Sequence, residues 1–476
     1  MTKVAKTEVD PSAGSLPPWF DGSVSGTTKR NPGTVRPLLI AEAANPEWTS
    51  VPLVGWNLTR AIARHTGALV ATQIRNREAF LRAGLREEID FIAIDNERQA
   101  SRLHRIGEVL RGGDNKGWTA VTALSSIAYY SFEKQLWRVL KGRLTEGEFS
   151  LVHRVTPVSP TSQSAIAKKL KSINVPFVVG PMNGGVAWPP AFRSVRRQEL
   201  DWLSPMRRLH KLMPHYSATR HLAAALIAGS RATFDELPKS CLSKSFWLPE
   251  NAVEPDRFPF TQRRRDSGPL RIAFVGRLVP YKGADILIEA VASCHHSSDL
   301  EIVIIGEGPQ RPLLEALVRT HGLEGRVQFR GWIPQERLAH ALADSHVLAL
   351  PSVREFGGGV VVEAMSLGIV PVVADYAGPP ELIDVQCGIA VNFHDRHSLV
   401  QGFANALVSL GNAPERLASM SCAAASRARL IFTWDAKAKQ ILQVYEWVRG
   451  NSAKPSVNLT MPVYKDKEDY DLLNQL

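Results

Sequence analysis

The chain has 476 residues, which is long for one hydrophobic core and suits two domains with terminal extensions. Its hydrophobic content of 44% and charged content of 22% are ordinary for a globular protein. It contains no run of 18 apolar residues, and its polar start, MTKVAKTEVD, lacks the apolar core of a signal peptide. The 4 cysteines form no CxxC pair, which argues against a zinc site and favours a reducing cytoplasm.

The net charge of +11 is unevenly distributed along the chain. Residues 1–268 carry 38 Lys and Arg against 24 Asp and Glu, whereas residues 269–476 carry 19 against 22. This asymmetry indicates that the first half meets an anionic partner, although a merely basic surface would explain it equally well. No recognised nucleic-acid module accompanies the charge, so we expect no nucleic-acid partner.

The first part of the chain predicts a leader followed by an α/β domain. Residues 1–35 are rich in Ser, Gly, Pro and Thr and are expected to form a disordered leader. Helical patterns at Gly55–His65 and Ser126–Leu140 then alternate with short apolar runs. Because buried strands that alternate with helices form parallel sheets, residues 36–262 are predicted to be a doubly wound domain. Its predicted strands are Pro37–Ala43, Ala68–Gln73, Ile89–Asp95, Ser150–Val155, Phe177–Pro181 and Ala225–Ser230.

A polar, turn-rich stretch, Thr261–Pro269, predicts a domain boundary, after which the pattern restarts over residues 269–434. A last helix is predicted over residues 435–450, and residues 451–476 are expected to be a tail. The predicted strands are Leu270–Arg277, Glu301–Glu307, Val327–Trp332, His346–Ser352, Pro371–Asp375 and Ile389–Phe393. The predicted helices before the last one are Ala284–Ala292, Pro312–Thr320, Gln335–Ala343, Val360–Leu367, His397–Leu410 and Pro414–Leu430.

From Leu248 to Tyr445 the sequence resembles the donor domain of the family-4 retaining glycosyltransferases. The blocks that carry the resemblance, in order, are LPENAV, RIAFVGRLVPYKGADILIEA, VIIGEGP, VQFRGWIP, HVLALPSVREFGGGVVVEAMSLGIVPVVADYAGPPELI and FTWDAKAKQILQVY. Residues 36–230 resemble the acceptor domain more loosely, through LLIAEA, SLVHRV and FVVGPMNGG. The resemblance implies a GT-B fold, in which two Rossmann-like domains face each other across a crevice and the last helix crosses back to the first domain.

The segment REFGGGVVVEAM holds two acids eight residues apart, Glu355 and Glu363. Between them, Gly357, Gly358 and Gly359 precede a predicted helix, and their N–H groups can approach an anion closely at the helix start. The resemblance implies that Glu355 holds hydroxyls of the donor sugar and stabilises positive charge at the anomeric carbon. It implies that Glu363 accepts hydrogen bonds from the ribose diol. Two such acids also occur often by chance, as a loop acid and a helix-start acid.

Two cations in the segment VGRLVPYKG, Arg277 and Lys282, follow a predicted strand of the second domain. Departure of a nucleoside diphosphate develops negative charge on its distal phosphate, and two fixed cations can stabilise that charge without a metal. Gly276 is expected to allow close backbone approach to the donor, and Gly306 of GEGP a tight turn. GEGP does not match GxGxxG, so it gives no support for a dinucleotide site.

Three further positions follow from the resemblance. Ile333, in the turn after a predicted strand, corresponds to the loop that contacts the nucleobase, although an ordinary apolar turn residue would explain it equally well. His153, at the end of SLVHRV, corresponds to a histidine near the donor sugar, although a lone histidine at a strand end is more often structural. Many relatives carry two glycines just after the first strand. In that stretch of this chain Gly55 is the only glycine, and its backbone is the candidate substitute for the phosphate contact.

The acceptor side is predicted at Asn183 and Gly184, in the glycine turn of GPMNGG. The segment Arg193–Arg220 interleaves seven Lys or Arg with apolar residues, which is typical of a surface that meets anionic headgroups but also of a solvated helix face. Asp469-Tyr470-Asp471 matches a D-x-D metal motif, yet it lies in a charged tail with no strand before it. We therefore expect no metal site and no cofactor.

These observations predict a glycosyltransferase that moves a hexose-like unit from a nucleotide-diphosphate sugar to an acceptor hydroxyl, in surface polysaccharide or lipid-linked glycan biosynthesis. The resemblance implies that the anomeric configuration is retained. We expect it in the cytoplasm, with peripheral contact at the inner face of the cell membrane. A nucleotide-sugar epimerase of the same fold is one alternative, but it needs an acid/base set that the sequence does not display. A non-catalytic scaffold is another, but it would have no need to keep Glu355, Arg277 and Lys282.

Overall fold

The computed structural model describes residues 35–96, 118–198, 210–265, 267–294 and 299–460, without the side chains of residues 118–127 and 198. The predicted leader up to residue 34 lies outside this part of the chain. So do residues 199–209 of the basic segment and the tail from residue 461, which contains Asp469 and Asp471.

The first domain is built on a parallel sheet of seven strands within the described residues. Its spatial order is β3-β2-β1-β4-β5-β6-β7. The order reverses direction between β1 and β4, so the connections that leave these two strands diverge and open a crevice at their carboxyl ends. The strands are β1 (Pro37–Ala41), β2 (Leu69–Gln73), β3 (Phe91–Ile94), β4 (Leu151–Thr156), β5 (Phe177–Met182), β6 (Ala225–Ala228) and β7 (Ser245–Trp247).

The second domain carries a parallel sheet with six strands among the described residues, in the order β10-β9-β8-β11-β12-β13. Here the order reverses between β8 and β11, which pair through Val347 opposite Ile272. The strands are β8 (Leu270–Val275), β9 (Leu300–Ile305), β10 (Val327–Gly331), β11 (Val347–Leu350), β12 (Val370–Ala374) and β13 (Ile389–Val391).

Both faces of each sheet are buried. Because successive strand residues point in opposite directions, neighbours in one strand pack into different hydrophobic clusters. In β1, Leu39 and Ala41 pack into one hydrophobic cluster while Leu38 and Ile40 pack into another. In β8, Ile272 and Phe274 face one cluster and Ala273 faces a second. This burial explains why most of the strands are largely apolar runs instead of alternating ones, as the sequence predicts for a parallel sheet in an α/β domain.

Helices connect the strands and supply the outer layers. In the first domain they are α1 (Val51–His65), α2 (Arg77–Arg82), α3 (Trp118–Thr145), α4 (Ile166–Ser172), α5 (Arg193–Gln198), α6 (Tyr216–His221) and α7 (Arg231–Asp235). Afterwards come α8 (Ala284–Ala292), α9 (Arg311–Thr320), α10 (Gln335–Ala341), α11 (Gly359–Ser366), α12 (Arg396–Gly411), α13 (Pro414–Ile431) and α14 (Trp434–Val448). In the part of the chain that the structure covers, no helix is long and apolar enough to cross a membrane.

The chain crosses between the domains at two adjacent places. Leu248 belongs to the first-domain core and Val253 to the second, so the chain makes the first crossing over the four residues between them. The second crossing runs from Phe432 in the second core to Trp434 in the first. The Val253 N–H donates to the Phe432 carbonyl at 2.8 Å, which ties the crossings together. Helix α14 then packs on the first domain, so the predicted crossing-back of the last helix is confirmed.

The first crossing comes before the turn-rich stretch Thr261–Pro269 that predicts the boundary. Phe258 is buried in the second-domain core, so the residues just before that stretch already pack with the donor half. The sequence also misses β7, because three residues are too few to show a periodicity. Both differences arise from long-range packing, which local turn chemistry does not report.

Candidate active site

The loops that carry the predicted cations and the predicted sugar-binding acid leave neighbouring strands. Arg277 and Lys282 follow β8, and Glu355 follows β11. These two strands are adjacent in the second sheet, at the position where the strand order reverses. Ligands of doubly wound domains bind in the crevice at such a switch point. The topology therefore brings together residues that the sequence places in separate motifs.

Lys282 forms an ion pair with Glu355, through Nζ and Oε2. Both side chains are mostly buried, with 18% and 17% of their surface exposed. Lys282 ends a 3-10 turn over Pro280–Lys282, and Gly283 follows in the left-handed conformation at φ 74°. A Cβ on Gly283 would lie 2.5 Å from the Pro351 carbonyl oxygen, so a glycine is needed for the two loops to meet.

Arg277 is exposed in the loop that leaves β8, and within the described residues its guanidinium has no hydrogen-bonded or ionic partner. The side chain is therefore available to a ligand, in contrast to that of Lys282. An unpaired guanidinium suits a phosphate, which it can bind through two parallel hydrogen bonds.

Gly276 and Gly306 meet at the carboxyl ends of β8 and β9. Gly306 has φ 143°, and a Cβ there would overlap the carbonyl oxygen of Gly276. The Gly276 N–H donates to the Ile305 carbonyl at 3.0 Å, and the Gly306 N–H donates to the Gly331 carbonyl at 2.8 Å. The turn role predicted for Gly306 thus has a definite physical basis: two backbones approach at a distance that no side chain permits.

The predicted glycine loop immediately precedes α11. Gly358 is the N-cap of this helix with φ 70°, a conformation that glycine adopts without steric cost. A Cβ on Gly357 would overlap the side chains of Asn251 and Glu250, and one on Gly359 would lie 3.2 Å from Asn251 Oδ1. The first N–H groups of a helix have no partner within it, so the loop and helix start offer donors to an anion.

Glu363 lies one turn into α11 and accepts a hydrogen bond from Gln335 Nε2 at 2.7 Å on Oε1. Burial raises the pKa of the Glu363 carboxyl, and the Gln335 hydrogen bond opposes that rise. Gln335 begins α10, next to the turn that holds the partly buried Ile333. The predicted ribose acid and the predicted base-contacting turn are therefore neighbours, joined by a residue that the sequence did not single out.

His153 has contacts that differ from the predicted ones. It is fully buried, and its Nε2 lies 2.6 Å from the Gly180 carbonyl oxygen. Since a carbonyl only accepts, Nε2 carries the hydrogen, and Nδ1 accepts from the Tyr445 hydroxyl at 2.6 Å. Burial lowers the pKa of His153 to about 4, which keeps the ring neutral. In this arrangement both nitrogens join β4 to β5 and α14, and neither is open to a donor sugar.

Gly55 also has a packing role in place of the predicted phosphate contact. It is buried within α1, and a Cβ there would overlap the Ala43 carbonyl oxygen and lie 2.9 Å from Thr156 Cγ2. Because Gly55 is the fifth residue of the helix, its N–H belongs to the intrahelical ladder and not to the free first turn. The glycine lets α1 pack tightly against the loop after β1.

Asn183, predicted on the acceptor side, joins the two domains. Its Nδ2 donates to both carboxylate oxygens of Glu250 at 2.7 Å and to the Phe356 carbonyl at 3.1 Å. The neighbouring Gly184, at φ 143°, accepts from the Thr233 hydroxyl at 3.1 Å. Glu250 lies inside the block LPENAV, which the sequence marks as a match without assigning it a role.

Further contacts hold the loops of the two sheets against each other. Glu381, after β12, accepts from the Arg231 N–H at 2.8 Å and from Trp247 Nε1 at 2.9 Å. Burial raises the pKa of the Glu381 carboxyl to about 7. The Tyr376 hydroxyl donates to the Ala187 carbonyl at 2.9 Å. Since these loops follow strands of both sheets, the carboxyl ends of the two sheets face each other.

The basic segment is only partly described, and one of its members differs from expectation. Arg193 and Arg197 are exposed, whereas Arg220 is 3% exposed. The Arg220 guanidinium donates to Gln163 Oε1 at 2.6 Å and to the Pro160 carbonyl at 2.8 Å. Arg220 therefore holds the loop after β4 and does not face an external surface.

Two parallel sheets whose carboxyl edges face each other, joined by a returning C-terminal helix, define the GT-B class of glycosyltransferase fold, as predicted. Residues 257–421 match the family described as Glycosyl transferases group 1. The predicted resemblance of the donor half to glycosyltransferases is thus confirmed over these residues.

Curated relatives are glycosyltransferases. The D-inositol 3-phosphate glycosyltransferase of Rhodococcus erythropolis is 34% identical over 193 residues, which cover 38% of this chain and 42% of the relative. The D-inositol 3-phosphate glycosyltransferase of Corynebacterium kroppenstedtii is 35% identical over 204 residues, 40% of this chain and 44% of the relative. The GPI3 component of the phosphatidylinositol N-acetylglucosaminyltransferase of Saccharomyces cerevisiae is 24% identical over 194 residues, 40% of this chain and 42% of the relative. The chain thus matches less than half the length of these relatives.

Solved structures of the same fold cover most of the chain. Anabaena HepE in complex with UDP and glucose has a TM-score of 0.54 at 16% identity and covers 87% of this chain and 100% of that chain. A glycosyltransferase from Rickettsia africae has a TM-score of 0.58 at 13% identity, covering 88% of this chain and 100% of that one. Sucrose-phosphate synthase from Thermosynechococcus elongatus has a TM-score of 0.56 at 17% identity, again with 88% and 100% coverage.

Proposed function

We propose that this chain is a retaining glycosyltransferase that transfers a sugar from a nucleoside diphosphate sugar to an acceptor hydroxyl without a divalent metal. The observation that carries the proposal is the pairing of Lys282 with Glu355 at the switch point of the donor sheet. One of these residues has the charge that a departing phosphate requires, and the other has the charge that a cationic anomeric carbon requires.

The remaining residues supply the other parts of a donor site. Arg277 adds a second cation for the distal phosphate, and the glycine loop offers backbone donors to the diphosphate and sugar. Glu363, fixed by Gln335, accepts from the ribose hydroxyls. In the reaction, the bond between the anomeric carbon and the phosphate oxygen breaks while the acceptor oxygen bonds to that carbon from the same face. The acceptor proton passes to the departing phosphate.

UDP is the nucleotide that we propose to test first, because Anabaena HepE, which shares the fold, was crystallised with UDP and glucose. Thermal unfolding should be measured with the diphosphates of uridine, guanosine, adenosine and thymidine. A nucleotide that binds only the folded state raises the melting temperature. Transfer from the matching nucleotide sugar, with the product's anomeric configuration read by NMR, then tests the reaction. Inversion of configuration, or no stabilisation by any of the four, would contradict the proposal.

For the acceptor, we propose a glycan or a lipid-linked glycan that carries negative charge. Two relatives are named for D-inositol 3-phosphate and for phosphatidylinositol, which are phosphorylated polyols. The positive charge of the first half of this chain suits such a molecule. Within that half, Arg193 and Arg197 are exposed basic residues and Leu212 is an exposed apolar residue. Each Lys or Arg close to an anionic membrane contributes about 1 kcal/mol of attraction.

Sedimentation with anionic and with neutral vesicles, repeated at several salt concentrations, tests the membrane contact. Binding to anionic vesicles should decrease as salt rises, because the attraction is screened within about 10 Å at 0.1 M. Arg193→Glu with Arg197→Glu should weaken it. Arg319→Glu with Arg337→Glu, an equal change of charge at exposed positions of the donor domain, is the matched control. Equal binding by both double variants would argue against this surface.

A further inference from the structure

Glu250 and Lys437 lie at the two crossings between the domains. Glu250 follows Leu248 of the first core, and Lys437 lies in the first turn of α14, just after the second crossing. The hydrogen bond between Val253 and Phe432 holds the two crossings side by side. Any change in the angle between the domains must therefore pass through the backbone beside these two charged residues.

The Glu250 carboxylate fills space that two glycines leave open. A Cβ on Gly229, after β6, would lie 2.6 Å from Glu250 Oε2. A Cβ on Gly357, in the glycine loop, would overlap Glu250 Oε1. Neither glycine has a positive φ, so a left-handed backbone does not explain why glycine stands at these positions. The space that the Glu250 carboxylate occupies does explain it. One glycine belongs to each domain, and the acid therefore lies between them.

Hydrogen bonds connect this carboxylate to both sides of the crevice. Asn183 Nδ2 lies 2.7 Å from each Glu250 oxygen and 3.1 Å from the carbonyl oxygen of Phe356, the residue before the glycine loop. Asn183 Oδ1 accepts from the Ser230 hydroxyl at 2.9 Å, which fixes the amide from the other end. The Asn183 amide thus links the predicted acceptor turn, Glu250 and the glycine loop.

The charged groups that act on Glu250 come from both domains. Lys437 is 1% exposed, its Nζ has no hydrogen-bond partner within the described residues, and the Glu250 charge acts on it. The positive charge of Lys437 favours the ionised form of the Glu250 carboxyl. The nearby negative charge of Glu355 disfavours that form. Glu250 therefore lies in the electric field of both the crossover helix and the predicted sugar-binding acid.

We infer that Glu250 is a positioning residue that couples closure of the two domains to the placement of the glycine loop. With the domains together, its carboxylate fixes Asn183 and the Gly357–Gly359 loop relative to each other. The acceptor turn is thereby held against the site of the donor sugar. This inference rests on the proposed function, which assigns that loop to the donor, but the geometric coupling can be measured without any nucleotide.

Glu250→Ala and Glu250→Gln test the inference, with Glu254→Ala as the matched control. Glu254 is a partly buried acid on the same connection, four residues later, and has no hydrogen bond to the glycine loop. We expect Glu250→Ala to bind UDP within about threefold of the wild-type Kd, because the donor-domain contacts remain. Its kcat for transfer from UDP-glucose, or from the donor that the nucleotide screen identifies, should fall on the order of 10²-fold, as for a misplaced reacting group. Glu250→Gln, which can still accept from Asn183, should recover most of that loss.

Small-angle scattering without nucleotide provides the independent measurement. The radius of gyration of Glu250→Ala should exceed that of the wild type and of Glu254→Ala, while Glu250→Gln stays near the wild type. A scattering curve for Glu250→Ala that superposes on the wild-type curve would overturn the coupling, as would equal losses of UDP affinity and kcat. If the wild type binds no nucleoside diphosphate, the proposed function fails, and the scattering comparison still decides whether Glu250 couples the domains. If Glu250→Ala does not fold, Asn183→Ala, which removes the amide that the Glu250 carboxylate holds, replaces it in both measurements and should show the same larger radius of gyration and lower kcat.

Discussion

Lys282 and Glu355 are 73 residues apart in the chain and form an ion pair between the loops that leave β8 and β11. Each side chain is the ionic partner of the other. Without this pairing, both charges in the crevice would be unpaired or exposed to water. Under the proposed function, a donor that enters this site finds a cation for its phosphate and an acid for its sugar already oriented. Such preorganisation is the main way in which electrostatic catalysis lowers a barrier.

Exchanging each of the two acids for its amide should separate their roles. Glu355→Gln is expected to remove most transfer while UDP binding stays nearly intact, because its proposed partners are sugar hydroxyls. Glu363→Gln is expected to weaken UDP binding by about 1–3 kcal/mol, the worth of a hydrogen bond to a charged group. Calorimetry with UDP and a transfer assay measure the two effects. Equal losses of UDP affinity in both variants would refute the assignment.

Removal of either predicted cation should slow turnover with little effect on folding. Arg277→Ala and Lys282→Ala should each lower kcat on the order of 10²–10³-fold, as expected when one group that stabilises transition-state charge is lost. Lys282→Ala also leaves Glu355 without its ionic partner, so its effect should be the larger. Arg319→Ala, on the exposed side of α9, is a control of equal charge.

Transfer should persist in excess EDTA, because the proposed function assigns to Arg277 and Lys282 the usual role of a divalent metal at the diphosphate. The assay is run on protein dialysed against EDTA, with Mg²⁺ or Mn²⁺ restored in parallel samples. A strict requirement for either ion would contradict the cation-pair mechanism and return attention to Asp469 and Asp471.

Gly306→Ala should destabilise the donor domain through backbone crowding. The new Cβ would overlap the Gly276 carbonyl oxygen at a φ that side chains rarely adopt, so we expect a loss of about 2–4 kcal/mol in the free energy of unfolding. Gly322→Ala is the control, since Gly322 also has a positive φ but no atom within 4 Å of the added carbon. It should cost about 1 kcal/mol. Similar losses from urea unfolding of both variants would exclude crowding as the cause.

Lys437 should give the protein a pH-dependent stability that a neutral side chain removes. Burial lowers its pKa from 10.5 to about 7 in the folded protein, whereas the unfolded chain keeps the ordinary value. Between these pH values the unfolded state binds one more proton, so this group makes stability rise with pH from about 7 to 10.5. Lys437→Met should flatten that rise and stabilise the protein at pH 7.

Urea unfolding of Lys437→Met and the wild type at several pH values between 7 and 10 measures this difference. Lys439→Met is the control, because Lys439 is 58% exposed and pairs with Asp435 on the same helix. A loss of stability at pH 7 in Lys437→Met, or an unchanged slope, would show that Lys437 is held in its charged form by partners stronger than Glu250.

Local sequence patterns determined most of the secondary structure and the class of fold. Apolar runs of five to eight residues predicted most of the buried strands, because a strand covered on both faces is apolar at most positions. The predicted helix Ala284–Ala292 agrees with the structure at both ends, since Gly283 and the following apolar positions mark it locally. The order of the family's sequence blocks identified the donor half, which the family match confirms.

Only the tertiary structure decided which way individual side chains face and what they contact. The sequence could not show that His153 is enclosed by Gly180 and Tyr445, or that Arg220 turns inward, because their partners come from elements distant in the chain. It also gave no sign that Glu250 would lie between Gly229 and Gly357, since a glycine kept for space looks the same as one kept for flexibility. Periodicity and turn chemistry are local properties, whereas the direction of a buried polar side chain is set by hydrogen-bond partners that folding brings from far along the chain.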